Sequence, residues 1–564
     1  MRALTTCVAL SLLLSVRLGV AAQPAPRADY RLVLMAAMKQ ELQRNMRSLR
    51  LDDHPSPYFI SYALRHTEYR EVEARNGAIY ARQNLAFRKV DVDLRVGSYD
   101  FDNSVSKDPD VETYDYYRPS DSAPLTNDPQ ALRRTFWLQS DFLYKQALIN
   151  YLALRGKRVF NASKKLDGGV FSRERPTRSV APLTRLEFDE KRFTALALRL
   201  SQEVLKHKAL FDSKIEISGR RAMRIFVSSE GTEVITERTM YTVSVNAVTR
   251  AADGMLLKDS VVLYSFTPRE LADDARILSA TRRMIADLLA LREAPVLPPF
   301  TGPAILMPQA AGVFFHETIG HRLEGHRNLG DQSGQTFKDK INQEILPSFL
   351  SIVDDPTLRR YGSGTVNGYY RYDEEGVPSR RVVLVDRGVL RGFLMSRRPV
   401  APFLRSNGHG RSAGSRSAVA RMSNLIIRST SGIPYAKLKA LLLAETRRQK
   451  KPFGLIIKNI VGGSTNTSAY GYQAFKGIPK MVYKVDARTG KETLVRGVEF
   501  VGTPLSSINK IIATSDQYGV FNGYCGAESG YVPVSTIAPA MLFREIELQR
   551  SLKKKERGIL LPPP

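Results

Sequence analysis

The most constraining feature of this sequence is an H-E-x-x-x-H string formed by His316, Glu317 and His321. Imidazole nitrogens are common zinc ligands, and a glutamate beside a ligand is a frequent general base in hydrolysis. Histidine is rare in the chain, with seven in 564 residues, yet His326 lies close behind the string. The string therefore predicts a metal site, and the alternative is two unrelated histidines on a buried helix.

The spacing of the two histidines predicts an irregular helix. Side chains five positions apart point roughly 140° away from each other on a regular α-helix, so they cannot share one ion. A π-bulge adds one residue to a turn and would bring His316 and His321 to the same face. The backbone can yield most easily at Gly320, which directly precedes His321. We therefore expect a distorted helix here.

A third ligand is expected, because catalytic zinc usually has three protein ligands and one open position. The sequence has two cysteines, and Cys7 lies in an N-terminal segment typical of secretion signals. The other, Cys525, is flanked by glycines in what reads as a turn before the strand-like residues 531–534. From the residues alone, Cys525 is either a soft metal ligand or a buried free thiol.

Several blocks of sequence around these residues resemble the TldD/PmbA metalloproteases, also called modulators of DNA gyrase. The blocks follow the family's order over about residues 300–540, and the resemblance is weaker over residues 23–295. They are residues 302–305, 312–325, 353–357, 373–378, 388–394, 525–526 and 532–534.

The resemblance implies a TldD-type ligand set, in which His316, His321 and Cys525 bind one zinc ion per chain and Glu317 is the catalytic base. Iron is the other candidate metal, but a His/His/Cys set and acid–base chemistry favour zinc. We expect Glu324 either to orient a ligand histidine or to be a solvated helix carboxylate.

Four other residues are weighed as site candidates. His326 stands where the family tends to have aspartate, and we interpret it as an exposed helix-end histidine rather than a rival ligand. Asp354 and Asp355 are expected to cap the turn at Pro356. His409 lies in a glycine-rich loop, which is interpreted as structural rather than facing substrate.

The resemblance implies an α+β fold with two domains, an α/β N-terminal domain and a mostly β C-terminal metallopeptidase domain. Apolar residues at helical spacing predict helices, and alternating patterns predict strands in 214–266 and in much of the C-terminal half. The helices are expected at about 23–50, 129–156, 186–208 and 268–293. A proline cluster at residues 295–299 marks the expected boundary.

The predicted organisation is a signal peptide, two domains and a basic, proline-rich tail. These are residues 1–22, 23–295, 296–550 and 551–564. The signal has a positive start, an apolar run and a small-residue cleavage site before Gln23, so we expect export, most plausibly to a bacterial periplasm. In an oxidising compartment a lone thiol is a liability, which favours a ligand role for Cys525.

The formal net charge of +28 predicts attraction to anionic partners. No basic–aromatic motif of nucleic-acid-binding proteins occurs, so an anionic envelope surface or acidic peptides are expected instead, with an inert basic surface as the alternative. The family resemblance implies dimers, with itself or with a PmbA-like subunit, and unfolded peptides bound as added strands.

The expected function is therefore a zinc-dependent peptidase that hydrolyses unfolded or small peptides in the cell envelope. Two alternatives belong to other classes. One is a non-catalytic TldD/PmbA-like scaffold that keeps the metal for stability, and the other is an envelope protein that binds polyanions through its charge.

Overall fold

The computed structural model describes residues 29–104, 119–160, 168–329, 335–414, 416–467, 475–502 and 504–551. The predicted signal peptide and all but the first residue of the predicted tail lie outside these residues. Within the described part of the chain, the helices are too short or too polar to cross a membrane.

In the described part of the first half of the chain, a six-stranded sheet is accompanied by four helices. The helices are α1 (Tyr30–Ser48), α2 (Pro129–Phe160), α3 (Glu190–Leu205) and α4 (Asp274–Glu293). The strands are β1 (Pro57–Arg75), β2 (Ala78–Val96), β3 (Arg178–Val180), β4 (Leu210–Ser228), β5 (Glu233–Arg250) and β6 (Leu256–Ser265). Their order is β2-β1-β4-β5-β3, with β6 also paired to β5.

All four predicted helices are confirmed, and their ends follow local capping chemistry. Helix α4 starts at Asp274 rather than directly after Pro268, because the Asp273 side chain accepts a hydrogen bond from the Arg276 backbone N–H. The side chains of Asp29 and Asp189 cap α1 and α3 in the same way.

Alternation along the strands gives this sheet two different faces. Ile217 and Ile225 of β4 are buried in the apolar clusters that also contain helix residues. Arg220 and Arg224 of the same strand point to the opposite face, which is turned towards the C-terminal half. The sheet is thus covered by helices on one side and by the rest of the chain on the other.

The C-terminal half is dominated by a fourteen-stranded sheet whose central path is β12-β11-β8-β15-β24-β7-β17-β20-β21. Its first strands are β7 (Phe300–Leu306), β8 (Leu350–Asp354), β11 (Val382–Asp386), β12 (Val389–Leu390), β15 (Asn424–Ser429), β16 (Gly432–Ile433) and β17 (Phe453–Ile457). The others are β18 (Ile460–Thr465), β19 (Phe475–Pro479), β20 (Val482–Asp486), β21 (Glu492–Val495), β22 (Val498–Gly502), β23 (Ile511–Ala527) and β24 (Gly530–Arg550).

Smaller elements complete this half. Two short ribbons pair β9 (Arg360–Tyr361) with β10 (Gly364–Thr365), and β13 (Gly410–Arg411) with β14 (Val419–Ala420). The helices are α5 (Pro308–Thr318), α6 (Tyr435–Arg448) and α7 (Pro504–Ile508), and 3₁₀ turns follow α5 at Gly320–Leu323 and Gly325–Asn328. The predicted α+β class with a mostly β C-terminal half is confirmed, whereas the exact boundary near residue 295 stays a prediction.

A loop of the C-terminal half docks on the helix-free face of the first sheet. Arg224 Nη1 donates a hydrogen bond to the backbone carbonyl of Asp373, 2.9 Å away. Arg65 Nη2 lies 2.6 Å from Glu374 Oε2. Gly376 adopts φ +79° and lies so close to Phe226 that a Cβ at this position would be 2.5 Å from the ring.

Candidate metal centre

Helix α5 carries the first half of the histidine string through the core. Residues 310–318 are all buried, as expected for a helix that is apolar on every side. Pro308 occupies the first turn, where its missing N–H costs no hydrogen bond. Gly312 lets β23 and β24 approach closely, since a Cβ there would lie 3.2 Å from Phe521 Cβ. This packing orients His316 and Glu317.

The prediction of an irregular helix is confirmed, but the π-bulge is wrong. The α-helix ends at Thr318, Ile319 departs to φ −113°, and a 3₁₀ turn begins at Gly320. A side chain at Gly320 would overlap the Met422 sulfur, so the tight turn needs glycine. The tighter winding, instead of an inserted residue, turns His321 back towards the last turn of the helix.

Three potential ligand atoms converge at this point. His316 Nε2 lies 3.1 Å from Cys525 Sγ, and His321 Nε2 lies 3.3 Å from the same sulfur. One potential ligand atom from each residue lies within 4.8 Å of the other two. All three residues are buried.

The donor set fits a zinc ion. Zinc–sulfur and zinc–nitrogen bonds of about 2.3 and 2.0 Å at a tetrahedral angle place sulfur and nitrogen about 3.5 Å apart. The observed sulfur–nitrogen distances of 3.1 and 3.3 Å are close to this value. Two imidazoles and a thiolate are also the ligand types that zinc prefers.

Cys525 lies in a strand and not in the predicted turn. It belongs to β23 and pairs with Val532 of β24, and the hairpin turns between Ala527 and Gly530. Its side chain is 5% exposed and belongs to the main apolar cluster of the C-terminal half. The pairing of the two strands thus fixes the position of the thiol, which a loop would not do.

The three residues shift one another's protonation in the metal-free protein. Burial raises the pKa of Cys525, but the two neighbouring histidines outweigh burial and hold it well below the usual value. Burial lowers the pKa of His321, yet Glu324 and Cys525 raise it to about 10. Burial also lowers the pKa of His316, but the neighbouring Cys525 outweighs burial and raises it. These shifts favour a thiolate at Cys525 and a proton on His321.

Glu324 is fully buried, so the solvated alternative is wrong. Its Oε2 lies 3.2 Å from His321 Nδ1 and 2.7 Å from Arg327 Nη2. Its other oxygen, Oε1, lies 3.4 Å from Arg421 Nε. Burial raises its pKa, but His321 and the two arginines together hold it well below the usual range. A charged carboxylate therefore faces the outer nitrogen of His321, and its orienting role stays a prediction.

Glu317, the predicted base, lies beside His316 near the end of α5 and is 9% exposed. Strand β18 approaches it at Gly463, where a Cβ would lie 2.6 Å from Glu317 Cγ. The glycine thus leaves just enough room for the glutamate side chain. Its catalytic role stays a prediction.

His326 is neither exposed nor part of the ligand group. It lies in the second 3₁₀ turn with a side chain that is 10% exposed, and its Nε2 is 2.5 Å from Glu528 Oε1. Burial lowers its pKa in spite of that carboxylate.

Arg421 was not predicted from the sequence, yet it links the β23–β24 hairpin to Glu324. It is fully buried, and its Nη2 donates to the carbonyl oxygen of Cys525 at 2.7 Å. A single arginine far from the string in sequence carries no signal of this contact.

Of the remaining candidates, Asp355 caps its turn, with Oδ1 accepting from the Thr357 N–H at 3.0 Å. The same prediction is wrong for Asp354, which is fully buried and accepts from the Ser423 N–H at 2.9 Å. Asp354 also lies 3.1 Å from Nε2 of His409, which has no exposed surface. The loop that contains His409 is therefore held internally, as predicted.

Comparison with known proteins agrees with this geometry. Residues 300–550 match the family model of the PmbA/TldA metallopeptidase C-terminal domain. The chain carries the metallopeptidase domain of the TldD/PmbA family over these residues. It is a metallopeptidase, a hydrolase of peptide bonds, and its cofactor is a metal ion.

Its similarity to named relatives is moderate. A metalloprotease of Methanocaldococcus jannaschii is 27% identical over 354 residues, which are 62% of this chain and 72% of that protein. A zinc metalloprotease TldD homolog of Saccharolobus solfataricus is 26% identical over 366 residues, 64% of this chain and 76% of that protein. A metalloprotease of Archaeoglobus fulgidus is 30% identical over 263 residues, 46% of this chain and 56% of that protein.

Solved structures share the fold at much lower identity. TldE from Thermococcus kodakarensis has a TM-score of 0.61 at 13% identity, covering 91% of this chain and 100% of that one. A Bacteroides thetaiotaomicron protein grouped with modulators of DNA gyrase has a TM-score of 0.60 at 14% identity, covering 92% and 98%.

Proposed function

We propose that this protein is a zinc-dependent peptidase that binds one zinc ion per chain through His316, His321 and Cys525. The convergence of these three buried donors is the observation that carries the proposal. Iron is the other candidate metal, but a reaction based on acid–base chemistry needs no redox change.

The chain's own residues supply the other parts of a hydrolytic site. When bound, zinc supplies Lewis-acid polarisation of a scissile carbonyl and lowers the pKa of a coordinated water. In this proposal Glu317 takes the proton of the attacking water and passes it to the leaving amine. Glu324 accepts a hydrogen bond from His321 Nδ1–H, which selects the tautomer whose Nε2 faces Cys525.

The proposed substrates are unfolded or small peptides that bind in extended form, as the family resemblance implies. We also propose that the protein is exported to the periplasm and assembles as a homodimer or with a PmbA-like subunit. Mass analysis of the protein from its native host tests export, because cleavage predicts a mature chain starting at Gln23.

The first experiment is elemental analysis of protein purified without added metal or a metal-binding tag. About one zinc per chain is expected, and it should be lost in His316→Ala and Cys525→Ser. Well-folded protein that takes up no zinc even when it is supplied would overturn the proposal.

The second experiment separates catalysis from metal binding. Glu317→Gln should keep the metal and lose peptidase activity by roughly 10²–10⁴-fold, because it removes the general base. If wild type and variant are equally inactive on unfolded peptides, the non-catalytic scaffold becomes the better description. A polyanion-binding role instead predicts salt-dependent binding that survives loss of His316 or Cys525.

A further inference from the structure

A cavity lies between the helix-free face of the first sheet and the C-terminal half. Its volume is about 360 Å³, within the range of small-ligand pockets. Its floor is formed by residues of the first sheet, which the strand register brings side by side, among them Arg65 of β1, Arg224 of β4 and Arg238 of β5. Its roof contains Arg411 and the end of the β23–β24 hairpin.

The lining is strongly basic. Seven basic and three acidic side chains border the cavity. The basic ones are Arg65, Lys89, Arg220, Arg224, Arg238, Arg371 and Arg411, and the acidic ones are Glu237, Asp373 and Glu374.

The three carboxylates are already engaged. Glu237 accepts from Arg221 at 2.8 Å and from Arg31 at 3.0 Å. Glu374 pairs with Arg65 and Arg224 at 2.6 and 3.3 Å. Asp373 accepts three backbone N–H groups, from residues 375, 377 and 410. Among the described residues, none of the three forms an ion pair with the other four arginines of the lining.

Four arginines of the lining lack a counter-charge. Among the described residues, no carboxylate lies within ion-pair distance of Arg220, Arg238, Arg371 or Arg411. Arg411 is 5% exposed and donates to the backbone carbonyls of Met422 and Pro533. Burial and, to a smaller extent, the nearby charges of Arg411 and Arg220 together lower the pKa of Arg238 to about 10. Their mutual repulsion would be relieved by an anion.

The cavity also touches the hairpin that carries Cys525. Tyr524 and Tyr531 line it, and they are 52% and 73% exposed. Because strand residues alternate between faces, Tyr524 points to the cavity while Cys525 points to the metal centre. A ligand in the cavity would therefore contact the opposite face of the hairpin that supplies the thiolate.

We propose that this arginine-lined cavity binds carboxylate side chains of acidic peptides, and that it selects substrates with acidic residues. The inference rests on the proposed peptidase function for its peptide ligand. Guanidinium groups match carboxylates in a planar, two-point geometry, and exposed tyrosines give a peptide backbone apolar and hydrogen-bonding contacts.

Binding to the Glu317→Gln protein loaded with zinc tests the proposal independently of cleavage. The probes are a capped hexapeptide with two glutamates, its twin with glutamine at both positions, and inorganic phosphate, each measured by titration calorimetry. We expect the glutamate peptide to bind about tenfold more tightly than its twin, because a hydrogen bond to a charged group is stronger than one to a neutral group.

Arg220→Gln should remove most of this preference, about tenfold in affinity. Arg220 is exposed, so its replacement should leave folding and zinc content unchanged. Arg276→Gln on α4 is the matched control, because its side chain is 82% exposed and lies outside the cavity lining. It should stay within about twofold of the parent protein.

Three outcomes would overturn the proposal. The first is equal affinity for the two peptides, and the second is an equal effect of Arg220→Gln and Arg276→Gln. The third is phosphate binding that displaces the glutamate peptide without any preference between the twins, which would assign the cavity to small free anions. Absence of peptidase activity in the parent enzyme would contradict the proposed function but not this binding site.

Discussion

Cys525, His316 and His321 balance one another's charge when no metal is bound. The Cys525 sulfur lies 3.1 and 3.3 Å from Nε2 of His316 and His321, and Glu324 lies 3.2 Å from the outer nitrogen of His321. Zinc binds through the same ring nitrogens, so it must displace the proton of His321. Hydrogen bonds among the three side chains therefore hold them together at neutral pH in the absence of zinc. Zinc must compete with the proton that takes part in these bonds.

Zinc affinity should therefore rise steeply with pH. The pKa of His321 is raised to about 10 in the metal-free protein, so binding at pH 6–8 releases the proton of this ring. Each released proton increases affinity about tenfold per pH unit. Chelator competition at pH 6, 7 and 8 measures the slope, and an affinity independent of pH would contradict the charge assignment.

The same shifts have a consequence for the metal-free fold. Since the folded pKa of His321 lies above its unfolded value of about 6.5, its stabilising contribution is present below that pH. This contribution is lost as pH rises through about 10.

At the scale of elements, the site depends on how closely three of them pack. Helix α5 presents His316 and Glu317, the 3₁₀ turn presents His321, and hairpin β23–β24 presents Cys525. Strand β18 passes over Glu317 and comes closest at Gly463. The backbone of this strand therefore limits the positions that the Glu317 side chain can adopt.

Gly463→Ala should displace Glu317 and lower peptidase activity roughly 10- to 100-fold, since misplacing a catalytic group by about 1 Å has effects of this size. Zinc content should not change, because the three ligands lie on other elements. The adjacent Gly462→Ala is the control, as a Cβ there meets nothing within 4 Å. Equal activities of the two variants would show that β18 does not position the glutamate.

At the scale of the whole molecule, the helix-free face of the first sheet forms two different contacts with the C-terminal half. Part of it docks the loop containing Asp373 and Gly376, and part of it forms the floor of the arginine-lined cavity. The cavity therefore exists only while the two halves stay docked, which couples the proposed acidic-peptide site to their relative position.

Gly376→Ala should weaken this docking. Its added methyl group would meet the Phe226 ring at 2.5 Å in a backbone conformation that already favours glycine. Gly362→Ala is the control, because Gly362 also has a positive φ but has no atom within 4 Å of the added Cβ. Chemical denaturation should show Gly376→Ala less stable than the control by about 1–3 kcal/mol, the usual cost of overpacking. Equal stabilities would argue against tight packing at this contact.

The sequence by itself determined the local features of this protein. The histidine string, its irregular helix, the four N-terminal helices and the mostly β second half follow from spacing and periodicity, which act within a few turns of chain. The resemblance of the sequence to one family predicted Cys525 as the third ligand, and the structure brings its sulfur to the two histidines. The sequence predicted a turn at Cys525, whereas this residue lies in a strand. The prediction was wrong because flanking glycines occur in strands as well as in turns.

Tertiary structure decided everything that joins distant segments. Cys525 reaches His321 from 204 residues away. Arg421 bonds the hairpin carbonyl, and Glu324 is buried between cations rather than solvated. The clustering of Arg220 and Arg238 arises from strand register across the sheet. Such contacts depend on packing and charge compensation between elements, and neither leaves a periodic trace along the chain.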